Sequence, residues 1–398
     1  MGGMQVSIQT DQKQTIRKRR PFFTEEHEMF RKSLIQFLQK EAVPNFDTWE
    51  EERLIPRSFW EKAGEQGFIC PWVSEEYGGQ GTDFGFAVVL SEELARVGAG
   101  LTGIGTHSNI IVPYLNSFGT KEQKDKYLSK CVTGEIITSI AMTEPGAGSD
   151  LANIQTTAIR KGDHYILNGQ KTFITNGIQS DLVIVACKTD PNAEPRHKGI
   201  SLLLVERGTP GFTRGRKLNK VGMHSQDTSE LIFEDCMVPV TNRLGEEGKG
   251  FQYMMTNLQE ERLLCATNAV VAAEDMFQLT IEYVKEREAF GKSISQFQNT
   301  QFKLAEIATE IKLGRTFVDD LINRHINGEE VVKEVSMAKW WTTEMAKRAS
   351  VDCMQLHGGY GYMEEYKIAR RYRDIPVTAI FAGSNEIMKV IISKKLGL

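Results

Sequence analysis

Apolar positions in the first third of the chain recur at helical spacing. Thr24 precedes a segment with acids in its first turn, followed by Phe30, Leu34, Phe37 and Leu38, which predicts a helix closed by Pro44. Pro56 stands where a first helical turn tolerates proline, ahead of Phe59 and Trp60. Two more amphipathic helices are predicted over Phe84 to Val97 and Lys121 to Leu128, with glycine-rich joints at 78–81 and 98–105. From Ile136 to Pro239 the period changes. Tyr165 to Ile174 reads as a hairpin, two strand-like runs around Asn168-Gly169. Leu182 to Cys187, Ile200 to Val205 and Leu231 to Phe233 are further short β runs. Short strands without intervening helices predict an antiparallel barrel or sandwich. Beyond Gly250, the runs Phe251 to Arg287, Phe302 to Ile326 and Val331 to Leu356 are long and free of proline. They predict an antiparallel helical bundle, with Val335, Ala338, Met345, Ala349 and Leu356 as a buried stripe. The expected class is α+β in three domains: helical over 21–135, β over 136–245, and a bundle over 246–398. No internal repeat interrupts that order.

Composition narrows the function classes. At 398 residues, 40% hydrophobic and 25% charged, the chain can bury a large core. A net charge of −4 with no basic half argues against nucleic acid as a partner. No apolar run reaches the roughly 18 residues of a membrane span. The basic run Arg17 to Arg20 has no apolar stretch after it, so no secretory signal is expected. Six scattered cysteines without a CxxC pair predict free buried thiols of a reducing compartment, with no disulfide frame and no metal site.

Two glycine-rich stretches carry different weight. Gly98-Ala99-Gly100-Leu101-Thr102-Gly103 matches GxGxxG by letter, but a helix precedes it and no βαβ unit follows. The dinucleotide reading needs a strand before and a helix after, so a helix connector is expected. Thr143-Glu144-Pro145-Gly146-Ala147-Gly148-Ser149-Asp150 offers glycines for close backbone approach and hydroxyls for hydrogen bonding. On its residues alone it is either a ligand loop or a turn between the first two domains.

That stretch resembles the FAD-binding segment of the acyl-CoA dehydrogenase family, and the resemblance extends over nearly the whole chain. It implies FAD as cofactor, held by Ile140, Met142, Thr143, Gly148 and Ser149 in this segment. The run Asn168 to Gly177 resembles the family's flavin-facing hairpin, implying Phe173, Ile174 and Thr175 at the ring. Arg287-Glu288-Ala289-Phe290-Gly291-Lys292 and Gln355-Leu356-His357-Gly358-Gly359-Tyr360-Gly361-Tyr362 resemble segments that reach the FAD of a neighbouring subunit. They imply cofactor roles for Arg287, Phe290, Gln298, Gln355, Gly358 and Gly359, with Ser384, Asn385 and Glu386 returning to the FAD. Ser149, Gln259, Arg262, Ala382 and Gly383 are implied to meet the acyl-CoA, the Ala382 N–H holding the thioester oxygen.

The chemistry implied is removal of the α-proton of an acyl-CoA thioester while the β-hydrogen leaves as hydride. Many members carry the glutamate base just before a C-terminal Gly-Thr or Gly-Ser. Here Ala382 stands in that place, and alanine accepts no proton. Either the chain is inactive or the base comes from elsewhere. Glu261 supplies an alternative: at about 100° per residue it lies within roughly 60° of Met254, Leu258, Leu264, Cys265 and Ala272. A carboxylate on an apolar face is either paired with a nearby basic group or raised in pKa, as a carbon-acid base requires. Family members with the base on this helix and none near the C-terminus show the same two departures. His107 and His357 are read as structural.

The resemblance further implies oxidation of a saturated, medium- or long-chain acyl-CoA to the trans-2-enoyl-CoA, as in fatty acid β-oxidation. It implies electron-transferring flavoprotein as acceptor, a homotetramer built as a dimer of dimers, and a bacterial cytoplasm or mitochondrial matrix as location. A branched-chain enzyme of the isovaleryl type and a non-catalytic FAD- or acyl-CoA-binding scaffold are the alternatives.

Overall fold

The computed structural model describes residues 20–398; Arg17 to Arg19 of the basic run lie outside them. The first layer holds α1 (Glu25–Glu41), α2 (Phe46–Glu52), α3 (Arg57–Glu65), α4 (Phe84–Val97), α5 (Thr102–Thr106), α6 (Val112–Phe118) and α7 (Lys121–Val132). Capping residues set several starts: Thr24 with His27 and Thr120 with Gln123 each form a reciprocal capping box. Asp83 caps α4 by accepting from the Gly85 N–H.

The glycine-rich joint at 98–105 is itself helical, running through a 3-10 turn, α5 and the π turn His107–Ile111. Its glycines answer to crowding, because a Cβ on Gly98 would enter the Phe46 ring and one on Gly100 would meet the Ser225 hydroxyl. The segment packs against its neighbours and is no phosphate cradle.

The middle layer contains β1 (Thr138–Ala141), β2 (Thr157–Lys161), β3 (His164–Thr175), β4 (Leu182–Lys188), β5 (Ile200–Glu206), β6 (Phe212–Lys217), β7 (Thr228–Pro239) and β8 (Arg243–Leu244). The sheet runs β6-β7-β3-β2-β4-β5-β8 and is mixed rather than purely antiparallel, since β1 pairs with β4 in parallel. Every residue of β4 is buried. Val183, Val185 and Cys187 face the sheet's own core, while Leu182, Ile184 and Ala186 join the main core of the molecule. A strand covered on both faces reads as a continuous apolar run.

Asn168-Gly169 is not a turn. Both residues lie inside β3, where Asn168 exchanges hydrogen bonds with Asp235 and the register to β7 shifts beside Gly169. The turn that folds β2 onto β3 is Gly162-Asp163, also a two-residue hairpin pair.

The last layer is built on α8 (Gly250–Glu286), 37 residues long. A short ribbon, β9 (Glu288–Ala289) and β10 (Lys292–Ser293), leads into α9 (Gln298–Ile326), α10 (Val332–Leu356), α11 (Lys367–Asp374) and α12 (Asn385–Lys395). Helix α8 packs on α4, α9 and α10, and α10 also carries α12. Of the expected stripe, Val335, Ala338, Met345 and Ala349 are buried, and Leu356 is half-buried at the helix end. Arg20, Arg31 and Arg315 converge on the buried Glu92, tying α1, α4 and α9 together. Among the described residues no helix is long and apolar enough to cross a membrane, and all six cysteines are free and buried.

Candidate active site

Two segments meet around the front half of α8. Glu261 is 8% exposed and flanked on its helix by buried Leu263, Leu264 and Cys265. Burial pushes its carboxyl up to about 7; the Tyr114 hydroxyl and the Arg262 guanidinium pull the other way. Tyr114, fully buried on α6, donates to Glu261 Oε1 at 3.1 Å. Glu260, one position before it, is half-exposed and lies 3.3 Å from His325. The helix therefore presents one carboxylate to the interior and the other to a histidine at the surface.

The second segment is the turn at Ala382-Gly383, both in the left-handed region with φ of 54° and 84°. Lys339, fully buried on α10, donates to the Gly383 carbonyl at 2.8 Å and to Asn385 Oδ1 at 3.1 Å. Asn385 Nδ2 in turn donates to Thr343 and Glu344. The Arg262 Nε–H reaches the Ala382 carbonyl at 3.5 Å. Among the described residues nothing accepts from the Ala382 N–H. The turn thus offers a free N–H and is tied to Arg262, the residue after the buried Glu261; such an N–H suits a carbonyl that must gain negative charge.

The remaining expected residues fall into two groups. One lies on the middle sheet. The Thr172 N–H donates to the Thr143 carbonyl at 3.0 Å, and Lys171 donates to the Met142 carbonyl at 2.9 Å. A bulge between Lys171 and Ile174 leaves Phe173 at φ 59° and 68% exposed, while Ile174 turns inward. Thr175 accepts from Gln226. Ile140, Met142 and Thr143 are half-buried alongside, with Gly148 and Ser149 exposed at the loop tip.

The other group lies at the far end of α8, roughly 39 Å from Glu261 at 1.5 Å per residue. There Arg287, Gln355, Gly358 and Gly359 line a cavity of about 480 Å³ with Tyr283, His357 and Tyr360. Arg287 sits over the Tyr360 ring and has no carboxylate within pairing distance among the described residues. Phe290, 96% exposed at the tip of the β9–β10 ribbon, and Gln298 at the start of α9 stand near this end. An aromatic ring held out by a bulge, hydroxyls beside it, and an unpaired cation above glycines with open space form a donor set suited to FAD.

Three expected residues are otherwise engaged. Gln259 bridges the α9–α10 connection, donating to His325 and the Glu329 carbonyl and accepting from the Val331 N–H. Asn385 is 2% exposed within the Lys339 cluster, and Ser384 caps α12. Glu386 is exposed on the first turn of that helix. His107 is buried between Thr138 and the Cys131 carbonyl and its pKa is lowered by burial to about 4; His357 bonds the Cys353 carbonyl and stacks on Tyr283. Both are structural. Tyr114, Lys339 and Gln226 were not singled out by sequence. A buried lysine that faces the start of another helix gives no periodic signal, and the Tyr114 contact spans 147 residues.

Models of the acyl-CoA dehydrogenase N-terminal, middle and C-terminal domains match residues 24–135, 139–236 and 248–397. The chain belongs to the acyl-CoA dehydrogenase family. Members are FAD-dependent oxidoreductases acting on CH–CH bonds. The chain is 47% identical over 377 residues to the long-chain specific acyl-CoA dehydrogenase of Mus musculus mitochondria, covering 95% of this chain and 88% of that one. It is 37% identical to the mitochondrial isovaleryl-CoA dehydrogenase of Pongo abelii, over 93% of this chain and 88% of that one. The crystal structure of an acyl-CoA dehydrogenase from Geobacillus kaustophilus superposes with a TM-score of 0.94 at 65% identity, covering 95% of this chain and all of that one.

Proposed function

We propose that the protein dehydrogenates saturated medium- or long-chain acyl-CoA thioesters to the trans-2-enoyl-CoA, with Glu261 as the base. The buried Glu261 carboxyl, pushed up to about 7, carries this reading. A base near that value is about half ionised near neutral pH and still strong enough to take a proton from a carbon acid. The Ala382 N–H holds the thioester carbonyl oxygen, and this lowers the cost of charge on that oxygen as the α-proton moves to Glu261. Arg262 steadies the Ala382 turn and faces the CoA arm. Gly383 keeps the turn open, and Ser149 meets the pantetheine. FAD, when bound at Phe173, Thr175 and the Thr143 loop, supplies the acceptor for the β-hydride.

Arg287, Gln355 and the Gly358-Gly359 turn sit roughly 39 Å along α8 from Glu261, which supports a cofactor shared between subunits of a homotetramer. Electrons then pass to electron-transferring flavoprotein, as in fatty acid β-oxidation. Anaerobic addition of palmitoyl-CoA tests the reading: the flavin bleaches and the product is lighter by two hydrogens. A flavin that stays yellow supports a non-catalytic scaffold. The isovaleryl-CoA dehydrogenase likeness gives a second reading within the same chemistry, and faster bleaching by isovaleryl-CoA than by palmitoyl-CoA supports it.

A further inference from the structure

Among the described residues, the hydrogen bond that Glu261 receives from outside its own helix comes from Tyr114. The tyrosine belongs to the first helical layer, and its position follows from local geometry. The π turn His107–Ile111 precedes α6 and adds a residue to the helical turn, which rotates everything after it. Tyr114 is thereby fully buried against α8. Its hydroxyl has two acceptors within reach, Glu261 Oε1 at 3.1 Å and the Met254 carbonyl at 3.3 Å. A phenol has one proton to give.

We propose that Tyr114 is a positioning residue for the base: its O–H is directed to Glu261 while the carboxylate is ionised and turns to the Met254 carbonyl once Glu261 is protonated. The assignment rests on Glu261 being the base. The surroundings leave that hydroxyl as the adjustable partner. Arg262 and Glu260 lie on the same helix, and Arg262 is engaged with the Ala382 carbonyl. Glu260 pairs with His325 of α9. Lys339 of α10 is taken by the Gly383 carbonyl and Asn385. From α4, Glu92 is bonded to arginines and Ser91 to Asn268.

A donated O–H favours the ionised carboxylate and fixes its rotamer. With the hydroxyl present, the base is ionised at a lower pH than burial alone would allow. With Met254 as second acceptor, the hydroxyl stays satisfied after proton transfer and imposes no penalty on the protonated acid.

The test is Y114F, which keeps the ring and removes only the hydroxyl. Its acid limb of kcat moves up by about one pH unit, so that the rate below the limb falls about tenfold and recovers near pH 9. KM for palmitoyl-CoA stays within about twofold, since the hydroxyl acts on the base and not on substrate binding. Infrared titration of the carboxyl band that E261Q removes reads the same shift without turnover. A limb and a band that both stay in place, or an equal loss of rate at every pH, overturn the assignment. A wild-type protein that never bleaches, with the band still moving in Y114F, instead overturns the functional reading and leaves the Tyr114 contact standing.

Discussion

Lys171 and Glu144, both buried, lie 2.8 Å apart and join the bulged end of β3 to the Thr143–Asp150 loop. Burial pushes the Glu144 carboxyl up, but Lys171 and the N–H groups of Thr156 and Gln155 outweigh it and hold it below the usual carboxylate range. The loop is closed on itself by the paired backbone of Glu144 and Ala147. The Pro145-Gly146 turn is thus a fixed platform, not a free connection. Removing one partner of a buried pair strands the other, at about 3–5 kcal/mol. K171M is therefore expected to lower the thermal midpoint by several degrees and to release FAD on gel filtration. Unchanged cofactor retention would mean that the loop does not need this anchor.

Phe173 is the converse case. With its ring mostly in water, it contributes little to the fold of the chain by itself. F173A should leave the stability of the cofactor-free protein within about 0.5 kcal/mol, while the ratio of FAD to protein after dialysis falls. An equal loss of stability with and without FAD contradicts a cofactor-facing role.

Among the described residues Arg287 has no carboxylate partner, and it stands at the end of α8 away from Glu261. If two chains complete one cofactor site, R287Q and F173A damage different halves of it. Refolding an equimolar mixture of the two variants then creates some sites with both halves intact. FAD retention in the mixture should exceed the mean of the separate variants. Retention equal to that mean argues that each chain binds its own cofactor.

Asp374 couples the three layers. Its carboxylate accepts from the Met223 N–H, while Glu50 of α2 accepts from the Ser225 N–H close by. Burial pushes Asp374 up to about 6, with Glu50 adding repulsion and Arg371 and Arg373 opposing it. The folded protein thus holds this proton more tightly than the unfolded chain. Its cost is absent below pH 4, grows between pH 4 and 6, and is complete above pH 6. D374N keeps an acceptor for Met223 and removes the charge, so its thermal midpoint at pH 7.5 should equal or exceed that of the wild type. A lower midpoint there would show that the charge is needed by the arginines.

Much of the fold was legible because the periods were long. Phe84 to Val97 was read to the residue, and β4 and β5 stood out because both their faces are buried. The Asn168-Gly169 pair misled, since a bulge and a turn use the same residues and only the β7 partner distinguishes them. The side of α8 on which Glu261 falls was readable from spacing alone. Tyr114 was not, because a π turn shifts the helical phase and the partner lies in another layer. The role of Gln259 was hidden in the same way, by an α9–α10 connection that folds back onto it.

The most direct measurement compares E261Q and E260Q in anaerobic stopped-flow with palmitoyl-CoA, following the bleaching of bound FAD. Glu261→Gln should retain the cofactor and lose flavin reduction by about 10² to 10⁴-fold, while Glu260→Gln, which alters only the pair with His325, loses little. Equal losses in the two variants, or none in the first, would contradict Glu261 as the base.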